Sequence, residues 1–139
     1  MPKLLERLRG GAALALTSDA GLPLIANPGF KLVQACRAEG FPATVIPGAN
    51  AALTALAGSG LATDAFFFAG FLPPKNAARV KALESLKTLP ATLIFYEAPQ
   101  RLAAMLHDAA EVLGGGRRAA VARELTKLYE ETQIGRAHV

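Results

Sequence analysis

TSDAGLPLIANPG, residues 17–29, is the stretch from which the rest of this chain is read. An apolar run, Ala12–Leu16, leads into it, and a helix-like segment, Phe30–Ala38, leads out. A strand–loop–helix junction of this kind puts a loop at the carboxyl end of a parallel strand, where open α/β sheets bind ligands. The loop carries one acid, Asp19, two glycines, Gly21 and Gly29, and two prolines, Pro23 and Pro28. Glycine permits positive φ or a close approach of a ligand to the backbone, and proline fixes a turn without offering a donor. The same residues also suit a stiff connection that holds nothing, and on physics alone both readings stand.

Outward from that loop the chain alternates. Met1–Arg9 reads as the end of an amphipathic helix stopped by Gly10-Gly11, and Ala12–Thr17 as a short buried strand. Asn27 as N-cap, Pro28 in the first turn and Gly40 as the stop predict a helix over 28–39. Ala43–Ile46 reads as a second buried strand closed by Pro47-Gly48, and Asn50–Ala57 as a helix ending in Gly58-Ser59-Gly60. Such a β-α-β-α order is the grammar of a parallel sheet. Gly58–Asp64 is the expected boundary. Beyond it the pattern predicts a strand at Phe66–Phe71, a Pro-Pro loop, and a helix over Ala78–Leu89 with Val80, Leu83, Leu86 and Leu89 on one stripe. A strand at Thr92–Tyr96 follows, then a helix over Pro99–Leu113. In that helix Leu102, Met105, Leu106, Ala109, Ala110 and Leu113 keep the 3.6-residue period. Ala119–Arg123 and Tyr129–Ile134 read as two further strands. The first half starts inside a helix and offers only two strands, too few for a doubly wound sheet. The chain therefore reads as the later part of something longer, with apolar surface left exposed.

At 139 residues the chain supports one core or two small subdomains. Hydrophobic residues make up 52%, mostly alanine and leucine, yet no uninterrupted apolar run reaches membrane-spanning length, so no membrane partner is expected. The opening residues are charged and lack the apolar core of a signal peptide. Cys36, the single cysteine, has no internal partner and reads as buried filler, which fits a reducing cytoplasm. The net charge of +4 hints mildly at a polyanionic partner. Its distribution is more informative: Lys75, Arg79, Lys81 and Lys87 face only Glu84 between Phe71 and Pro90, whereas residues 91–139 are balanced. On charge alone, a solvated helix face is the better reading of that run.

Three loops follow strands at what should be one sheet edge: Ser18–Pro23, Pro47–Asn50 and Glu97–Arg101. Asp19 suits hydroxyl or amine binding, or plain bracing of its loop. Pro47-Gly48-Ala49-Asn50 opens a helix, so its backbone N–H groups point toward the ligand edge, although a simple cap by Asn50 is as economical. Glu97 ends an apolar strand, where a carboxylate is partly desolvated, and Arg101, one helical turn on, is placed to pair with it. Arg123, Glu124 and Lys127 form a similar cluster after the next strand. His107, beside Asp108, and His138 have no metal-ligand company, so no metal is expected. No GxSxG, Walker lysine loop, HExxH or CxxC occurs, which removes most hydrolase, kinase and zinc chemistries.

Five blocks in order, SDAGLPLIANPG, IPGAN, TDAFFFAGFLPPK, LIFYEAPQR and VARELTKLYEE, resemble the bacterial small-subunit rRNA ribose 2′-O-methyltransferase I family of the tetrapyrrole-methylase superfamily. The likeness runs from about Leu4 to Thr132. It implies an α/β architecture of two domains with S-adenosylmethionine in the cleft between them. Residues 1–60 would be the later part of the N-terminal domain and 61–139 an incomplete C-terminal one. By the resemblance, Ser18, Asp19, Ala20, Gly21 and Pro23, with Pro47, Gly48, Ala49, Asn50 and Ala51, line the cofactor site, and Tyr96 and Ala98 close it. Gly70–Lys75 and Arg101 face the RNA, with Lys75, Arg79 and Arg123 as the basic contacts. Glu97 and Glu124 are the candidate proton acceptors, with Lys127 and Arg101 as candidate orienters. The superfamily also implies a homodimer, in the cytoplasm, acting on small-subunit rRNA or the ribosomal subunit. The chain departs from the family pattern at Leu22, Asn27 and Ala49-Asn50. The family's opening strand, its glycine-rich first loop and the end of its last domain do not appear. A methylase of tetrapyrroles or other small molecules, and a non-catalytic RNA-binding module on the same fold, are the alternative expectations.

Overall fold

Residues 2–19, 21–26 and 28–136 are described by the computed structural model. They divide into two units, Met1–Asn50 and Ala51–Val139. The first unit is built on two helices, α1 (Pro2–Arg9) and α2 (Phe30–Ala38). Arg9, in the last turn of α1, forms a bidentate pair with Glu39, the residue that caps α2 (Nε–Oε2 2.9 Å, Nη2–Oε1 2.6 Å). Helix α2 starts two residues later than its sequence predicts, with Gly29 as N-cap at φ +125°, while Asn27, the expected cap, lies outside the described residues. Its end is as read: Gly40 turns the chain at φ +77°, and its amide and that of Phe41 return to the carbonyls of Arg37 and Cys36. Cys36 is buried.

The two strands expected here do not form. Ala12–Thr17 and Ala43–Ile46 are irregular, and Leu16, Val45 and Ile46 are exposed rather than buried. A parallel strand exists only through its neighbours, which supply every ladder bond and both covering layers. Among the described residues neither segment has a strand beside it. The apolar spacing is real; the partners are not there.

The second unit is α/β, as expected. Helix α3 (Ala51–Gly58) leads to strand β1 (Phe66–Phe71), helix α4 (Asn76–Leu86) and strand β2 (Thr92–Tyr96). β1 and β2 pair in parallel with α4 as the crossover, the connection that parallel neighbours require. Next come a 3-10 turn at Pro99–Arg101, helix α5 (Leu102–Leu113) and an antiparallel pair, β3 (Arg118–Arg123) and β4 (Glu131–Arg136). β4 begins two residues later than its sequence suggests, because Lys127 and Glu130 donate back to the carbonyls of Glu124 and Lys127 and hold Tyr129 in a turn. Helices α4 and α5 pack together over Leu72, Leu83, Met105 and Ala109, and α3 packs against β2 and β3. No described helix is long and apolar enough to cross a membrane.

One irregularity in β1 shapes the edge at which β1 and β2 end. The register slips between Phe68 and Gly70, and Gly70 takes φ +67°. Side chains three apart on a regular strand point to opposite faces. The extra residue brings Phe68 and Phe71 onto the same face, and both meet the Tyr96 ring edge-on at 4.9 and 5.5 Å. The strand end that leads into Leu72–Lys75 is therefore fixed by aromatic packing.

Candidate functional site

Parallel strands β1 and β2 end at the same edge, so the loops after them are neighbours. The first is Leu72-Pro73-Pro74-Lys75. Its two prolines carry no N–H, and its leucine side chain is buried in the core. The second is Glu97-Ala98-Pro99, which opens the 3-10 turn into α5. Arg101 joins the two. Its Nη2 donates to Glu97 Oε2 at 3.0 Å and to the Leu72 carbonyl at 2.8 Å. Its Nε lies 3.0 Å from Glu97 Oε1, close enough to pair but not aligned for a hydrogen bond. Glu97 Oε1 takes the Ala98 amide at 2.8 Å, and the Glu97 side chain is only 5% exposed. The ion pair read from sequence spacing is present. A desolvated carboxylate with both oxygens engaged is held in place.

Arg79 is the residue the sequence misjudged. Expected among the phosphate contacts, it is buried instead, its Nε 2.6 Å from Asp108 Oδ2 with both side chains 6% exposed. Asn76 donates to both Asp108 oxygens at 3.0 Å, and Arg79 Nη1 reaches the Pro74 carbonyl at 3.1 Å. The reason lies in helical spacing. Arg79 is four residues before Leu83 on α4, and Asp108 three after Met105 on α5, so both sit on the packed faces. That spacing is the signal the sequence offers, and reading Lys75–Lys87 as one basic run overrides it. His107, Asp108 and Glu111 bring ligand-capable atoms within 4.8 Å of one another, but both Asp108 oxygens are already bonded.

The other cluster lies after β3. Arg123 stands opposite Glu131 in the β3–β4 register and pairs with it at 2.6 Å. The Glu131 carboxyl is held below its ordinary value first by the Gln133 amide and then by Arg123. Glu124 is exposed at φ +50° and meets Lys127 Nζ at 3.3 Å, and Thr126 follows at φ +65°. Lys75 is exposed. It has no ion-pair partner among the described residues.

In the first unit the loops 18–23 and 47–50 approach through backbone. A Cβ on Gly21, which sits at φ +74°, would lie 3.4 Å from the Ala49 carbonyl, and one on Gly48 would lie 3.9 Å from Leu22. Asp19 is exposed and has no hydrogen-bond partner among the described residues, Ser18, Pro23 and Asn50 are half-buried, and Pro47 and Ala49 are exposed. Ala20 and His138 lie outside the described residues. Leu24 and Ala26 hold positive φ without being glycine, at 74° and 56°. Such angles cost of order 1–3 kcal/mol each and collect where a loop's shape is functional. In the second unit Ala51 opens α3, and Tyr96 and Ala98 are half-buried at the end of β2.

A family model described as Tetrapyrrole (Corrin/Porphyrin) Methylases matches residues 2–138. Proteins named Ribosomal RNA small subunit methyltransferase I are similar to the chain over nearly all of its length. That of Mesorhizobium japonicum is 53% identical over 134 residues, 96% of this chain and 46% of the relative. The Pseudomonas aeruginosa protein is 49% identical over 128 residues, 92% of this chain and 45% of the relative. The Micromonospora olivasterospora protein is 53% identical over 134 residues, 96% and 42% respectively. The chain thus spans about half the length of the curated relatives it matches.

Proposed function

The chain belongs to the tetrapyrrole methylase family, and from that premise we propose that the protein is an S-adenosylmethionine-dependent methyltransferase that 2′-O-methylates a cytidine ribose of small-subunit ribosomal RNA. The observation that carries the reading is the level of identity, about half of all positions over more than nine-tenths of the chain, to proteins of that name. The site geometry supports it. In the first unit, a Cβ on Gly21 would meet the Ala49 carbonyl at 3.4 Å and one on Gly48 the Leu22 side chain at 3.9 Å, so the two loops lie side by side, and Gly21, Gly48 and Ala49 leave their backbone open to solvent. A nucleoside cofactor is well served by such open backbone donors and acceptors, with Asp19 free to take ribose hydroxyls.

S-adenosylmethionine supplies a methyl group on a sulfonium, already a good leaving group. The chain's own residues then have two tasks, holding the ribose hydroxyl in line and receiving its proton. Glu124, exposed and held only by a 3.3 Å contact to Lys127, has lone pairs free for that proton, and Lys127 orients it. Glu97, with both oxygens engaged, serves as an anchor. Lys75 meets a backbone phosphate. A ribosomal RNA substrate locates the work in the cytoplasm, and the superfamily likeness suggests a homodimer.

A second reading, methylation of a tetrapyrrole or other small molecule, is favoured by the commitment of Arg79 and Arg123 to ion pairs within the chain. Binding of small ribosomal subunits to the protein, measured from 50 to 200 mM salt, separates the two. The rRNA reading expects affinity to fall steeply with salt, by a slope close to the number of phosphate contacts. Salt-independent affinity or none overturns it.

A further inference from the structure

We propose that Arg101 and Arg79 are positioning residues that clamp the Leu72–Lys75 loop and so aim Lys75 at a phosphate of the substrate RNA, an inference that rests on the rRNA reading above. The loop needs an outside clamp. Pro73 and Pro74 remove two amides, so the loop's carbonyls must find donors elsewhere. Both donors are guanidinium groups held by a buried carboxylate. Arg101, fixed by Glu97, donates to the Leu72 carbonyl at 2.8 Å. Arg79, fixed by Asp108, donates to the Pro74 carbonyl at 3.1 Å. The planar fork of arginine makes this double duty possible, since one group reaches a carboxylate and a carbonyl together.

The loop's ends are fixed as well. Leu72 is anchored in the core, and Gly70 sets the bulge that leads to it. Lys75 stands next, its carbonyl taking the Arg79 amide at 3.0 Å as the first bond of α4. The ammonium group has no partner of its own among the described residues. Arg101, which the family resemblance assigns to the RNA, therefore acts through Lys75 rather than on a phosphate.

Loss of either arginine strips the partner from a buried acid, Asp108 or Glu97; Arg101, the less buried of the two with its side chain 29% exposed, carries the test. The binding of a fluorescein-labelled small-subunit rRNA oligonucleotide is measured at several salt concentrations for the unchanged chain, Lys75→Gln, Arg101→Gln and the double variant. Lys75→Gln is expected to weaken binding severalfold and lower the salt slope by about one. Arg101→Gln is expected to do the same alone, and to add nothing once Lys75 is gone. Additive losses, or a slope lowered by two in the double variant, would make Arg101 a phosphate contact and overturn the proposal. Amide exchange at Arg79, whose N–H is bonded to the Lys75 carbonyl, reads the clamp without RNA: Arg101→Gln should speed it at least tenfold, and unchanged exchange overturns the clamp. Absence of RNA binding by the unchanged chain sinks the rRNA reading and Lys75's assignment with it, and the exchange result still decides the clamp.

Discussion

The Arg79 guanidinium and the Asp108 carboxylate meet at 2.6 Å inside the second unit, with 6% of each side chain exposed. They lock α4 to α5 beside a core whose centre is Leu83. Removing one partner from a buried pair leaves an uncompensated charge, which costs about 3–5 kcal/mol. Asp108→Ala should lower the stability of this unit by that amount in urea unfolding. Replacing both residues by apolar ones, Arg79→Met with Asp108→Leu, should recover most of the loss. A single variant that unfolds at the unchanged urea concentration would show the pair to be idle.

Leu83 is the one large side chain fully buried among the described residues. It fills the seam between α4 and α5, and truncation there removes transfer energy and leaves a cavity. Leu83→Ala should cost about 2–5 kcal/mol. The neighbouring Ser85, exposed on the same helix, should tolerate alanine within about 0.5 kcal/mol. Paired denaturation curves of the two variants check this contrast.

Gly29 sits at φ +125°, and a Cβ there would come within 2.6 Å of the ends of Leu16 and Leu24. The leucine ends can swing aside, but the backbone angle cannot be relieved. Gly29→Ala should therefore destabilise the start of α2 by about 1–3 kcal/mol. Gly58, with open space around it in α3, should gain up to about 1 kcal/mol from alanine. Amide exchange across α2 and α3 distinguishes the two.

The depressed Glu131 carboxyl sets the acid response of the β3–β4 pair. Gln133 is its first cause and Arg123 its second. A group whose folded value lies below its unfolded one stabilises fully above the unfolded value. That contribution fades as pH falls from about 4.5 through the folded value. The group is solvent-exposed, so the effect should be small and weakened by salt. Glu131→Gln should flatten the acid limb of amide exchange in β3 and β4, and an unchanged limb would contradict the assignment.

How far the sequence could be read depended on whether a signal was local. The helices and strands of the second unit follow from periodicity and stop residues, and the Glu97–Arg101 pair from i, i+4 spacing. The bulge at Gly70 is not local, because it becomes visible only when β1 is laid against β2. The burial of Asp108 is not local for the same reason, its partner lying 29 residues away on another helix. Val45 and Ile46 have the composition of a buried strand, yet they are exposed, and no strand pairs with them among the described residues. The family blocks named the loops of the site, whereas the clamp on Leu72–Lys75 depends on carbonyls, which no side-chain pattern records.

The most direct measurement is of the product. Small ribosomal subunits lacking ribose methylation are incubated with the protein and S-adenosylmethionine carrying a labelled methyl group, and their RNA is digested to nucleosides for mass spectrometry. The label should appear in 2′-O-methylcytidine, and Glu124→Gln should slow its appearance by about 10²–10⁴-fold. Label found on a base, or in no nucleoside at all, would contradict the account.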